Sequence, residues 1–230
     1  MAKILLLETS TALCSVALWE NGEITSYRKS EEDRTHASLT AVFVDEILRE
    51  RGLKIQDCDA VCVSMGPGSY TGLRVGVSTA KGLCFGAKKP LLAVGSLDIL
   101  VAQAKLEGLV PKDCKYIVPM IDARRMEVYC SVFTVEGDEI TETQPHIVTE
   151  DSFKNYLNAG KLLFIGDGAE KCKAVIHSEN AIFIQCEPKA TSMGELAMEE
   201  YKIERFKDVA YFEPFYLKDF VITRSKKKLF

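Results

Sequence analysis

Residues 66–83 read GPGSYTGLRVGVSTAKGL, directly after the apolar run AVCVSM at 60–65. A short unbroken apolar run followed by glycines and a proline predicts a buried strand that hands over to a helix through a tight turn. Pro67 presets the turn, Gly66 and Gly68 permit left-handed or closely packed backbone, and Ser69 or Thr71 is placed to cap the helix. A helix head reached through glycines suits an anion, because its free N–H groups and its dipole point outward. The stretch lacks the G-K-[ST] ending of a P-loop, so no lysine stands ready for a β- or γ-phosphate. Farther along, Gly72, Gly76 and Ala80 recur every fourth residue, and each glycine costs a helix about 1 kcal/mol relative to alanine. With Leu73 beside it, that flat strip fits a second backbone packed very close.

Outward from this turn the pattern of short apolar runs is regular. Strands are expected at 3–8, 13–19 and 23–28, with Asn21-Gly22 as the hairpin turn between the last two. A helix follows from about 35 to 51, with Thr35 as N-cap and Gly52 as its stop. After the strand and helix of the glycine turn come a strand at 91–94 and a helix from Ser96 to about Lys105. The order then repeats, with strands near 115–121, 126–135 and 139–148 and a short helix from Glu150. A strand at 161–165, a helix from Gly168, a strand at 181–185 and a helix from Thr191 complete the second copy. The two copies, 1–108 and 109–230, join near LEGLVPKDC and predict a duplicated α/β fold: two mixed β-sheets flanked by helices, with a cleft between the halves. That is the actin-like plan of actin, sugar kinases and Hsp70, whose nucleotide sits in the cleft.

On the first helix Leu39, Thr40, Ala41, Phe43, Val44, Ile47 and Leu48 span an arc of roughly 200°, about twice the stripe that faces one core. Burial within its own half is one reading; a partner helix covering Leu39, Phe43 and Ile47 is the preferred one.

Composition narrows the function. The 230 residues carry a formal charge of −4, and Arg224, Lys226, Lys227 and Lys228 leave residues 1–223 at −8. Such a body lacks the broad basic face of a protein that grips nucleic acid unaided. The eight cysteines form no C-x-x-C pair and read as reduced, buried thiols. KILLL at 3–7 is cut off by Glu8, and no apolar stretch is long enough to span a bilayer, so a cytoplasmic protein without a membrane contact is expected.

Other candidate sites are weaker. LETST at 7–11 places Glu8 where an actin-like chain usually carries an aspartate; Thr9, Ser10 and Thr11 offer hydroxyls to a phosphate or simply form a polar hairpin. With Gly66, Gly68, Ser69 and Thr71 they form the candidate anion or nucleotide site, and weak ATP or ADP binding is left open. Asp122, Ala123 and Arg124 suit either a ligand contact or a turn-stabilising pair, and Gly166, Asp167 and Gly168 precede another helix head. His36, His146 and His177 have no second ligand at metal spacing, and no Ser-His-Asp or Cys-His set presents itself.

Taken together, GPGSYTGLRVGVSTAKGL, IDARRMEVY, IGDGAEK and PFYLK resemble the bacterial TsaB (YeaZ) family across essentially the whole chain. The resemblance implies an actin-like fold and a part in making N6-threonylcarbamoyladenosine in tRNA. It implies a required non-catalytic partner of the transferase TsaD, working with the ATPase TsaE and reaching tRNA only through that complex. No cofactor is then required. TsaD follows a similar glycine helix with a metal-binding N-H-x-x-x-H; here Gly95, Ser96 and Leu100 stand in those places. Glu8, Tyr70 and Lys218 depart from the family's common Asp, Phe and Arg. Family members meet TsaD, or one another as homodimers, through their first two helices, which assigns Leu39, Phe43, Ile47, Gly72, Leu73, Gly76 and Ala80 to the contact. The alternatives are an ATP-dependent actin-like enzyme such as a small-metabolite kinase, acting through Glu8, Thr9 and the loop at 66–72, and last a glycoprotease.

Overall fold

The computed structural model describes residues 2–32 and 35–218; the basic residues at 224–228 lie outside them. The first sheet begins with a meander, β1 (Lys3–Glu8), β2 (Cys14–Glu20) and β3 (Glu23–Ser30). Asn21 and Gly22 take positive φ of 56° and 95°, as the two-residue hairpin requires. Strands β4 (Ala60–Ser64) and β5 (Leu91–Val94) run parallel to β1, giving the order β3-β2-β1-β4-β5.

Helix α1 (His36–Glu50) stops where Gly52 (φ 64°) lets the Leu53 N–H donate to the Leu48 carbonyl, 2.8 Å. At its start the Thr35 hydroxyl donates to the Glu32 carbonyl, 2.8 Å, instead of capping the helix as expected. Helix α2 (Tyr70–Ala87) is capped by Ser69, whose Oγ accepts from the Gly72 N–H at 3.3 Å; Thr71 sits exposed in the first turn. Helix α3 (Ser96–Leu106) follows β5.

The second sheet repeats this plan. Its strands are β6 (Cys114–Asp122), β7 (Glu127–Cys130), β8 (Phe133–Thr134), β9 (Gln144–Ile147), β10 (Lys161–Ile165) and β11 (Ala181–Ile184). The order β9-β7-β6-β10-β11 matches the first sheet position by position, with β10 and β11 parallel to β6. Its helices are α4 (Lys154–Ala159), α5 (Ala169–Cys172) and α6 (Gly194–Lys202).

The single strand expected at 126–135 is broken. Ser131 donates its hydroxyl to the Thr141 carbonyl, and the Val132 N–H goes to Thr141 Oγ1 at 2.9 Å. These bonds interrupt the ladder between β7 and β8, both of which pair antiparallel with β6. The same use of Thr141 leaves only Gln144–Ile147 of the strand expected at 139–148.

Four layers of core hold the elements together. On one face of the first sheet Leu5, Leu7, Val16, Val61 and Val63 meet Phe43, Val44 and Ile47 of α1 and Val77 and Ala80 of α2. On its other face Ile4, Leu6, Ala17 and Cys62 meet Ile99 of α3 together with Met193, just ahead of α6, and Ala197 on it. The opposite side of α3, with Leu97, Leu100, Val101 and Ala104, packs on Ile117, Ile121, Leu163 and Ile165 of the second sheet. Val118, Met120, Leu162 and Phe164 form the last layer with Leu157 and Ala169. Each Val, Leu, Ile, Phe or Met among them contributes about 1.5–3 kcal/mol when fully buried. Helix α3 is thus wedged between the sheets, and α6 crosses back from the second half to complete the first.

All eight cysteines are buried and unpaired. Burial pushes the thiols of Cys84, Cys130 and Cys186 up to about 12, which leaves them unreactive at neutral pH. Among the described residues no helix is long and apolar enough to cross a membrane.

Candidate functional site

The glycine turn and the end of β1 meet face to face. The Ser69 N–H donates to the Ser10 carbonyl at 2.7 Å, and Thr9 Oγ1 donates to the Gly72 carbonyl at 2.9 Å. A methyl group on Gly68 or Gly72 would fall well under 3 Å from the carbonyl oxygen of Ser10 or Thr9, and one on Gly76 would collide with Thr9 Oγ1. The glycines therefore admit the β1–β2 turn of the same chain. Two of the N–H groups at the head of α2, those of Ser69 and Gly72, are spent internally, so less of an anion cradle remains than the sequence suggests.

Glu8 ends β1 at 0% exposure. The Ser10 N–H donates to its Oε1 at 2.5 Å, while Oε2, like Ser10 Oγ and Thr11 Oγ1, has no hydrogen-bond partner. Burial raises the Glu8 carboxyl to about 7, and the bond from Ser10 only partly opposes it.

The interface residues inferred from the helical wheel of the first helix and from the small-residue strip of the second lie inside. Ile47 and Ala80 are wholly buried, Leu73 and Phe43 nearly so, and Leu39 packs half-buried on the same core. The arc on α1 is wide because that helix packs on β2, β3 and α2 at once. Gly72 and Gly76 serve Thr9. The outward face of the two helices is carried instead by Val42 on α1 and by Arg74, Ser78, Gly82, Phe85 and Gly86 on α2. Phe85 is 81% exposed, and none of the described residues lies within 4 Å of a methyl group built on Gly82 or Gly86. Sequence reading passed over Gly82 and Gly86, which also stand four residues apart but on the face opposite Gly72, Gly76 and Ala80.

In the second half the Asp122 N–H donates to Asp167 Oδ1 at 2.9 Å, and Asp122 Oδ1 accepts the Arg124 N–H at 2.7 Å and pairs with Lys171. Asp122 therefore stabilises its own turn. Arg124 and Arg125 both take positive φ there, 71° and 52°. Gly166 and Gly168 press on the Met120 carbonyl and on Ile121, as Gly68 presses on Ser10. His36 Nε2 donates to the Thr11 carbonyl at 2.9 Å, and His146 bonds Ser152 Oγ at 2.8 Å. No group of three or more His, Cys, Asp or Glu able to hold a metal occurs among the described residues. At the TsaD-like position Leu100 is core, Ser96 Oγ is buried without a partner, and Gly95 lies against the Asp98 carboxylate. Burial, reinforced by Glu139, lifts Asp98 to about 6. Nothing in its sequence context marked this acid as buried.

Two sheets of matching order, each with a glycine turn pressed against the end of its first strand, define a protein of the actin-like class. A family model described as TsaD, tRNA N6-adenosine threonylcarbamoyltransferase, matches residues 28–223. The tRNA threonylcarbamoyladenosine biosynthesis protein TsaB of Haemophilus influenzae is 34% identical over 94% of this chain and 93% of its own. A Pseudomonas aeruginosa crystal structure, described as an uncharacterized protein with similarity to peptidase YEAZ, superposes with a TM-score of 0.83 at 26% identity, covering 95% of this chain and all of that one. The Clostridium difficile activator of 2-hydroxyisocaproyl-CoA dehydratase, with bound ADPNP, shares the fold at a TM-score of 0.50 and 9% identity, over 88% of this chain and 97% of that one. The chain belongs to the TsaB family.

Proposed function

We propose that this chain is a non-catalytic scaffold in tRNA threonylcarbamoyladenosine biosynthesis, docking a TsaD-type transferase through the outer faces of α1 and α2. The observation that carries the reading is the outer surface of α2. Gly82 and Gly86 sit in open space although glycine weakens a helix interior by about 1 kcal/mol, and Phe85 stands exposed beside them. Small residues flanking an exposed aromatic let a second backbone come close while the ring fills a pocket. In isolation a second copy of the chain occupies the same face. TsaE joins the assembly of the two actin-like proteins, tRNA is reached through the transferase, and the work is done in the cytoplasm. The chain needs no cofactor of its own; a glycine turn whose Ser69 and Gly72 N–H groups are bonded internally supports that.

The test is Phe85→Asp, which leaves the core untouched. Measured by titration calorimetry against a purified TsaD-type transferase, the variant binds at least about tenfold more weakly, as expected for an aromatic anchor. Unchanged affinity would place the docking face elsewhere.

A further inference from the structure

Residues 206–218 form a strap across both halves. The strap starts at the edge of the first sheet, where the Lys207 N–H donates to the Leu91 carbonyl at 2.8 Å, and Val209 and Phe212 pack on the α1–α2 core. Lys81 of α2 donates to the carbonyls of Ala210, 3.1 Å, and Phe212, 2.9 Å. The Phe215 N–H donates to the Met65 carbonyl at 2.7 Å, and the Phe215 carbonyl lies where a side chain on Gly66 would stand. Tyr216 stacks on Tyr70 with ring centroids 4.9 Å apart, and Arg74 lies over Tyr70 at 5.4 Å. Beyond it Lys218 pairs with Glu127 of the second half and lies over the Tyr129 ring at 5.7 Å.

We infer that Lys81, Tyr216 and Lys218 are positioning residues for the docking helix. The strap clamps α2 at its head and at mid-length, and the Lys218–Glu127 pair makes that clamp depend on the second half. A helix whose N-terminal turn is held in one place loses less freedom when a partner packs on it, so strap closure and docking favour each other. A side chain on Gly66 would meet the Phe215 carbonyl at 2.9 Å and Leu73 at 3.0 Å, besides the strain of its φ of 109°. The inference rests on the docking reading for its consequence, though not for its geometry.

The experiment uses the full chain with Lys218→Glu, Tyr216→Ala and Lys218→Arg. Hydrogen exchange is followed in peptides covering 66–74 and 206–218, and affinity is measured for a purified TsaD-type transferase. Lys218→Glu sets two carboxylates against each other, and Tyr216→Ala removes the stack. Both are expected to speed exchange in 66–74 and to weaken binding about three- to fivefold, the scale of an exposed pair, with the melting temperature unchanged. Lys218→Arg keeps the cation and behaves as the wild type. Wild-type exchange in 66–74 for both of the first two variants, or a Lys218→Arg that behaves like Lys218→Glu, overturns the inference. If exchange responds while the wild-type chain does not bind the transferase, the docking reading falls and the strap stands.

Discussion

The two halves share one topology and one backbone device, yet only the first carries long helices. Gly68 and Gly72 press on Ser10 and Thr9, and Gly166 and Gly168 press on Met120 and Ile121 in the same relation. The helix after the first turn runs 18 residues; the helix after the second runs four. Likewise α1 has 15 residues and α4 six. The glycine contacts therefore belong to the fold and recur wherever the fold does, whereas a broad helical face exists once. A glycine pressed against the chain explains itself. A glycine in open space asks for an explanation outside the chain.

Breaking the shared device is expected to have the largest effect. Gly72→Ala and Gly166→Ala both drive a methyl group into a carbonyl oxygen, the second also at φ 107°, and each should cost about 3 kcal/mol in a urea titration. A loss confined to Gly72→Ala would mean that the halves do not share the device.

The acids that end the first strand of each half sharpen the contrast. Glu8 is buried without a cation, while Asp122 is exposed and paired with Lys171. The Glu8 carboxyl stands at about 7 in the folded chain against an ordinary 4.5, so the folded state holds the extra proton between those values. Its stabilisation is complete below about pH 4.5 and is lost as the pH rises through 7. Glu8→Gln should therefore flatten the fall in stability over that window, leaving the smaller share due to Asp98, and raise stability at pH 8 by about 3 kcal/mol. Asp122→Asn should change stability by no more than about 1 kcal/mol at any pH. Thermal unfolding from pH 4 to 8 separates the two; equal pH profiles for Glu8→Gln and wild type would remove the buried-acid argument.

The smallest expected change has the opposite sign. Gly82→Ala meets none of the described residues and should raise stability by about 1 kcal/mol, measured by the same urea titration. A loss instead would show that Gly82 serves the fold as Gly72 does.

Much of the fold was legible because its signals are local. Asn21-Gly22 marked a hairpin, and the strands at 91–94 and 161–165 were bounded by turn residues on both sides. The break after Cys130 was not legible, since it depends on Thr141 folding back from ten positions along the chain. The helical wheel of α1 reported how wide the apolar arc is. It carries no information on whether a sheet, a neighbouring helix or another protein covers it, and here the first two do. At the site, a hydroxyl cap at Ser69 or Thr71 and a backbone close to Gly72 followed from residue type, whereas the choice of Ser69, the identity of that backbone as the chain's own Thr9, the burial of Glu8, the partial burial of Asp98 and the course of the strap are tertiary facts.

The return of α6 also bears on how the chain is made. Ile4, Leu6, Ala17 and Cys62 emerge from the ribosome early, yet Met193 and Ala197, which cover them, are translated only after the entire second sheet. Until then the nascent first half shows one apolar sheet face that α3 alone does not close, and α3 has its own apolar side waiting for β6 and β10. A stretch synthesised after the second sheet is thus the keystone of the first, and until it emerges that sheet keeps an uncovered apolar face of the kind that favours aggregation.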